Sequence, residues 1–381
     1  MTEKLYYISA YTSKFSATVV SFFTEGDKLL AVLDKTAFFP EEGGQSADTG
    51  MIGGARVIDV TEMDGIIYHT VDTPLTVGET VECAIDFAER YEKMKCHTAE
   101  HILCGIMHKL YGAENIGFHL GDDVVTFDVS PVLTRADLDR VEDIANRIIA
   151  ENVDVVASFP TREELCALEY RAKLDLTENV RIVSIGDYDK CACCAPHVEK
   201  TGEIGLIKML DFCKHRGGTR IYMVAGERAL LDYRARYAIT QRISAMTSTP
   251  QMEISDAVKA LQNEKEALKS AMKERGLIIA RMSADAVPET KGNVVRYFNA
   301  LEVDEVREFV NCAVERVEGM VVAITGEEGN YKFIIGSRTV DLRQMAREMT
   351  ASLGGRGGGR PEMIQGTFLC GMTDIENYFL K

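Results

Sequence analysis

Two pairs of soft-metal ligands, far apart in the chain, constrain the fold more than any other feature. The first lies in His97-Thr-Ala-Glu-His101. Histidines four residues apart on a helix project from one face, one turn apart, and can share an ion. The second lies in Cys191-Ala-Cys193-Cys194-Ala-Pro-His197, where a turn at Pro196 can bring Cys193 and His197 around one ion. Thiolate and imidazole are the donors that borderline-soft zinc prefers. Each pair alone has an ordinary explanation: surface histidines at helical spacing, or a cysteine turn buried for packing with His197 on a backbone carbonyl. Together they favour a four-ligand site, which requires a helix and a distant turn to meet. Four permanent protein ligands make a structural or positioning zinc, whereas a catalytic zinc needs an open place. The spacing leaves both open. Glutamate stands next to the second histidine and not the first, unlike the HExxH of zinc proteases.

Composition narrows the setting. The 381 residues suffice for two or three domains, and 46% hydrophobic with 27% charged residues is ordinary for a globular protein. No run approaches a membrane span, and the N-terminus lacks the basic start and apolar core of a secretory signal. Ten cysteines, three of them crowded into Cys191–Cys194, suit a thiolate site in a reducing compartment better than a set of disulfides. A cytoplasmic protein is expected. The net charge of −16 weighs against indiscriminate nucleic-acid binding. Two basic stretches remain, one around Lys208, Lys214, Arg216 and Arg220, the other holding Arg338, Arg343, Arg347, Arg356 and Arg360.

Hydrophobic patterning predicts an α+β protein in four parts. Residues 1–90 carry short alternating segments such as FSATVVSFF, KLLAVLD, ARVIDVTEM and GIIYHTV, separated by turn signals, and suggest a small β-barrel. Residues 91–233 form a mixed α+β domain holding both ligand pairs, with a helix from Glu89 that ends at Gly112. Residues 234–289 are helical. From Ile254 an apolar row runs through Val258, Leu261, Leu268, Met272, Ile279 and Met282, a seam that would either close a homodimer or pack on its own domain. Gly276 is a point where that helix would bend or divide. Residues 290–381 read as a compact α/β unit closing with GGRGGGRP, either a flexible loop or a phosphate-contacting one with free backbone N–H groups.

Five motifs then point to one family. HTAEHIL resembles the HTATHLL-type helix motif of the editing domain of alanyl-tRNA synthetases, and CCAPHVEKTGEIGLIKML resembles that family's second zinc motif. Thr36-Ala-Phe-Phe-Pro-Glu-Glu-Gly-Gly-Gln45-Ser-Ala-Asp-Thr-Gly50 is similar to its TxFYxExGGQxxDxG signature, and RGGTRIYMVAGERAL and GGRGGGRPEMIQG match their counterparts in order. The last belongs to the accessory domain called DHHA1. DHHA1 also accompanies DHH phosphoesterases, but no Asp-His-His occurs in the chain. The family motifs begin within the first fifty residues, without the aminoacylation half of a synthetase. The chain therefore looks like the stand-alone editing proteins of the AlaX family, in a long form with DHHA1.

The resemblance implies a hydrolase that deacylates mischarged tRNA(Ala), most of all Ser-tRNA(Ala) and also Gly-tRNA(Ala), without ligase activity. It implies Zn2+ on His97, His101, Cys193 and His197, near the terminal adenosine. Thr36 is the candidate for reading a serine hydroxyl and Gln45 for a water or ribose contact. Arg338, Arg356 and Arg360 are candidates for tRNA contact. Ala195-Pro196 replaces the Gly-Thr usual in the family and removes a hydroxyl that would contact substrate or water, which would narrow substrate choice or retune the site. The alternatives are a zinc-stabilised tRNA-binding or dimerisation module without hydrolysis, and a hydrolase of another aminoacyl ester.

Overall fold

The computed structural model describes residues 1–172 and 180–380 and divides into two compact units, 1–239 and 240–381. In the first unit, six strands close a barrel in the order Lys14–Glu25, Lys28–Leu33, Ile66–Val71, Ala55–Met63, Gly50–Ile52 and Thr80–Ile85. Closure comes from the first strand, whose Lys14–Thr18 half pairs with Thr80–Ala84 while its second half pairs with Lys28–Leu33. Alternation sends Val19, Leu33, Ile52, Val57, Val60 and Ile67 inward, where they surround Phe38. Two features lack a signal in the sequence. The strand Gly50–Ile52 is too short for one, and Glu3–Lys4 forms a two-residue parallel pair with Lys35–Thr36.

The barrel leads directly into the helix Phe87–Tyr111, two residues earlier than the periodicity predicts. It ends on Gly112, whose φ of 62° suits the left-handed cap. The helix is buried along most of its length. One neighbour is the four-stranded sheet ordered Ile207–His215, Gly218–Ala225, Val125–Val129, Asn115–Leu120. Another is the three-stranded sheet of Val155–Ser158, Ile182–Ile185 and Asp189–Ala192. Gly105 makes the second contact possible. A Cβ there would stand 2.7 Å from both the Tyr188 carbonyl oxygen and the Asp189 Cβ. The helix therefore lies close enough to this sheet for residues near 189–197 to reach His97 and His101.

In the second unit the helix Ile254–Asp285 is continuous, so Gly276 does not divide it. The glycine instead allows close approach of the helix Val303–Ala313, since a Cβ would fall 2.2 Å from Glu305 Cδ. Ala280 and Ala284 are buried on the same side, whereas Leu261, Leu268, Met272, Ile279 and Met282 of the apolar row are exposed. A five-stranded sheet follows, ordered Val294–Phe298, Met320–Glu327, Asn330–Ser337, Met363–Phe368, Gly355–Arg360. Its last strand is the glycine run. It is neither a loop nor a row of wholly free N–H groups, because Gly355–Arg360 pairs residue by residue with Met363–Phe368. Glycine suits this edge because Phe333, stacked on Phe368, lies against it: a Cβ at Gly357 would meet the Phe333 ring at 2.5 Å. The other ladder face of the edge strand stays open.

Gly105→Ala tests the close packing beneath the ligand helix. Alanine favours a helix intrinsically, yet the contacts it meets are backbone and Cβ atoms that cannot rotate away. A loss of about 1–3 kcal/mol of stability is expected, read as a lower midpoint in urea; an unchanged or raised midpoint would contradict the packing.

Candidate metal centre

His97, His101, Cys193 and His197 come together with their donor atoms all within 4.8 Å of one another. His97 and His101 project from one helix face, and Cys193 and His197 come from the turn that follows the strand Asp189–Ala192. Cys193 Sγ lies 3.3 Å from His197 Nε2 and 3.7 Å from His97 Nε2. Each imidazole is held from behind through its other nitrogen. His97 Nδ1 meets Gln45 Oε1 at 3.0 Å, His101 Nδ1 meets Asp189 Oδ2 at 3.2 Å, and His197 Nδ1 meets Thr98 Oγ1 at 3.0 Å. The Thr98 hydroxyl donates to the Met94 carbonyl at 2.7 Å, which leaves it an acceptor for His197. With Nδ1–H donated outward, Nε2 of each ring is the free donor turned toward Cys193. Such outward partners are what fix metal-binding imidazoles. Three imidazoles and one thiolate fit a borderline-soft divalent ion.

Burial opposes charge on His101, yet Cys191, the Asp189 bond and Cys193 together hold it well above the ordinary imidazole range, so an ion entering the centre displaces a proton from that ring. Burial pushes the Cys193 thiol up, but the His97 and His197 rings beside it outweigh burial and hold it well below the ordinary thiol range. Burial depresses His197 to about 3, so it stays neutral with a lone pair available. Burial also opposes charge on Asp189, yet the His101 and Arg171 bonds keep it below the usual carboxylate range. Arg171 grips Asp189 through two hydrogen bonds of 2.8 Å, so the chain Arg171–Asp189–His101 anchors one ligand.

A second arginine holds the cysteine turn. Arg181 Nη1 donates to the carbonyls of Cys193 at 2.9 Å and Ala195 at 2.8 Å, and the Cys193 N–H donates to the Arg181 carbonyl at 3.0 Å. This clasp orients Cys193 toward the histidines. Cys194 takes no part: it packs against the cluster of Tyr6, Phe39 and Ala195, and burial raises its thiol far above the ordinary range. Cys191 lies within the same 4.8 Å limit of His101 and Asp189, on the edge of the centre. Ala195 and Pro196 are both buried.

The centre forms one wall of a cavity of about 680 Å³, lined also by Lys4, Tyr7, Phe118, Phe159, Arg181 and Glu100. Gly43 and Gly44, at φ of 63° and 84°, turn the Gln45 loop against the strand Asn115–Leu120 and join this wall. Gln45 is therefore beside the metal donors, bonded to His97. Thr36 is not. Its hydroxyl is fully buried in the barrel, 2.9 Å from His69 Nε2, and accepts the Phe38 N–H at 3.1 Å. His69 Nδ1 lies 3.1 Å from the Ala31 carbonyl and must donate to it, so the Thr36 hydroxyl donates to Nε2. Burial lowers His69 to about 4, which keeps that ring neutral. The Thr36 hydroxyl is thus engaged within the barrel by His69 and the Phe38 N–H. Arg356 and Arg360 are exposed on the glycine strand of the second unit, and Arg338 pairs with Glu315. Sequence reasoning missed Asp189, Arg171, Arg181 and Glu100. Of these only Glu100, three residues after His97 on the same helix, carried a usable periodic signal.

Residues 180–222 match the family model described as the threonyl and alanyl tRNA synthetase second additional domain, and residues 3–89 match that of class II (A) tRNA synthetases. The alanyl-tRNA editing protein AlaX-L of Pyrococcus horikoshii is 28% identical over 96% of this chain and 94% of its own length. Alanine–tRNA ligases of Thermococcus kodakarensis and Ignicoccus hospitalis are 30% and 27% identical, over 96% and 94% of this chain. The chain spans only 41% and 40% of those ligases. Along nearly its whole length the chain is thus similar to an alanyl-tRNA editing protein of the AlaX type. Among the described residues no helix is long and apolar enough to cross a membrane.

Thr98→Val removes the acceptor behind His197 and leaves all four donors in place. Metal affinity is expected to fall about tenfold to a hundredfold, measured by competition with a chromogenic chelator. Equal retention by both proteins would show that the Thr98 bond does not tune the site.

Proposed function

We propose that the protein is a trans-editing hydrolase that deacylates mischarged tRNA(Ala), releasing serine and also glycine, with Zn2+ held by His97, His101, Cys193 and His197. The observation that carries this reading is the convergence of those four donors on the wall of a cavity large enough for an aminoacylated nucleoside. The net reaction is ester hydrolysis. A water oxygen adds to the ester carbonyl carbon, the bond from that carbon to the ribose oxygen breaks, and the ribose oxygen leaves with a proton. Zinc held by all four donors would be closed and would serve as a template that orients the substrate; Lewis acidity at the carbonyl would require a further open place on the ion. The chain supplies orientation. Gln45 and Asp189 fix the rings of His97 and His101, and Arg181 holds the turn bearing Cys193. Tyr7, Phe118 and Phe159 give the cavity apolar walls that limit access of bulk water.

Binding of the tRNA body is assigned to the DHHA1-like part, residues 290–381, through Arg356 and Arg360 on the exposed edge strand, with Arg338 of the same unit. The edge suits a phosphate backbone because its two exposed arginines are separated by three glycines, which present little steric bulk.

Radiolabelled serine is expected to be released from Ser-tRNA(Ala) faster than alanine from Ala-tRNA(Ala), and His97→Ala should abolish the release. No release from either substrate by zinc-loaded protein would reject the hydrolase, and equal rates would reject the serine preference. Replacing Arg356 and Arg360 by alanine together should lower tRNA affinity and reduce the salt dependence of binding by about two phosphate contacts. An unchanged salt slope would remove this edge from the tRNA interface.

A further inference from the structure

Glu100 is a carboxylate in the cavity wall to which the metal centre assigns no work. It follows His97 by three residues and immediately precedes His101 on the ligand helix, and it lines the same cavity as both. It is 3% exposed. One oxygen, Oε1, accepts from the Cys104 thiol at 3.0 Å and from the Asn115 side-chain amide. Both donors are neutral. Oε2 has no hydrogen-bond partner among the described residues, and the side chain stands at the cavity surface. The cations of the same wall are already engaged. Lys4 pairs with Glu62, Arg171 with Asp189, and Arg181 with the Cys193 and Ala195 carbonyls. A buried carboxylate served only by neutral donors is electrostatically incomplete and favours a cation at its open oxygen.

We propose that Glu100 is the subsite for the protonated α-amino group of the substrate. The inference rests on the hydrolase reading above. In an aminoacyl ester the ammonium is attached to the carbon next to the reacting carbonyl, so an anionic group beside the metal donors catches the ammonium while the carbonyl faces those donors. The substrate class is then aminoacyl esters with a free amino group. N-acylated esters, peptidyl-tRNA among them, and α-hydroxy esters lack the ammonium and are discriminated against. Cys104 and Asn115 have positioning roles: they hold Oε1 so that Oε2 points to one place.

The test compares Ser-tRNA(Ala) with N-acetyl-Ser-tRNA(Ala) for wild type and Glu100→Gln, each loaded with zinc. Wild type is expected to prefer the free amine by about tenfold to a hundredfold, the range of a charge-assisted hydrogen bond in a buried site. In Glu100→Gln that ratio should collapse toward one through slower hydrolysis of the free amine alone. Zinc content, and the absorption spectrum of the cobalt-substituted protein, should be unchanged. A ratio that survives the substitution overturns the inference, as does an equal fall on both substrates. An altered cobalt spectrum would make Glu100 a metal-site residue and overturn it as well. If zinc-loaded wild type hydrolyses neither ester, the hydrolase reading fails on its own. Binding of 3′-seryl-amido-adenosine against its glyceryl counterpart then decides the inference: a preference for the amine that Glu100→Gln abolishes sustains it, and equal binding by wild type overturns it.

Discussion

The buried ion pair between Asp48 and Arg90 joins the barrel to the ligand helix, and the geometry of the metal centre depends on it. Both side chains are almost completely buried. Arg90 donates to both Asp48 oxygens, to the Ala37 carbonyl at 2.8 Å and to the Ala10 carbonyl at 3.3 Å, while Asp48 Oδ2 also accepts the Phe39 N–H at 2.6 Å. A buried pair is costly unless its remaining hydrogen-bonding capacity is filled, and here three backbone groups, of Ala10, Ala37 and Phe39, fill it. Asp48 closes the loop that begins at Thr36, and Arg90 lies in the first turn of the helix that carries His97. The pair therefore sets the distance between Gln45 and His97. Lys93, one turn further along, donates to the Ala47 carbonyl at 2.8 Å and holds the same loop at a second point.

This arrangement assigns different work to the two halves of the ligand set. His97 and His101 stand on a rigid helix whose neighbours are fixed by core packing. Cys193 and His197 stand on an irregular turn, which needs polar bonds to hold it. Arg181 supplies those bonds, and Asp189 links the strand before the turn to His101 on the helix. Removing a carbonyl clasp or an imidazole partner would leave each donor present but misdirected, which is why outward hydrogen bonds matter nearly as much as the ligands.

The donors are legible in the sequence because their signals are local: a four-residue helical spacing and a Cys-x-x-x-His turn. The barrel is legible through alternation, except for Gly50–Ile52, which holds its place by pairing with two neighbours and has too few residues to show a period. Asp189, Arg171 and Arg181 are illegible because their partners lie on other segments, and nothing around them in sequence marks a buried polar network. Thr36 shows the converse limit. Its motif is clear, but the sequence has no means of indicating that His69, 33 residues away, accepts a hydrogen bond from its hydroxyl. The glycine run misleads for a physical reason. Its residues have low strand propensity, and only the register with Met363–Phe368 and the rings beneath make it a strand.

Under the proposed function, charge explains why the chain needs two units. A net of −16 repels a polyanion overall, so affinity must come from local positive groups left unneutralised. The first unit cannot readily supply them at the cavity. Arg171 spends its charge on Asp189, Lys4 on Glu62, and Arg181 is buried against carbonyls, where burial lowers its affinity for a proton. Those cations build the site and are not free to grip a backbone. Arg356 and Arg360 have the opposite character: exposed, on an open strand edge, and without an ion pair among the described residues. Chemistry and affinity make opposing demands on a cation, since one requires it locked in place and the other requires it available. A chain that places them in separate units meets both demands without compromise at either site.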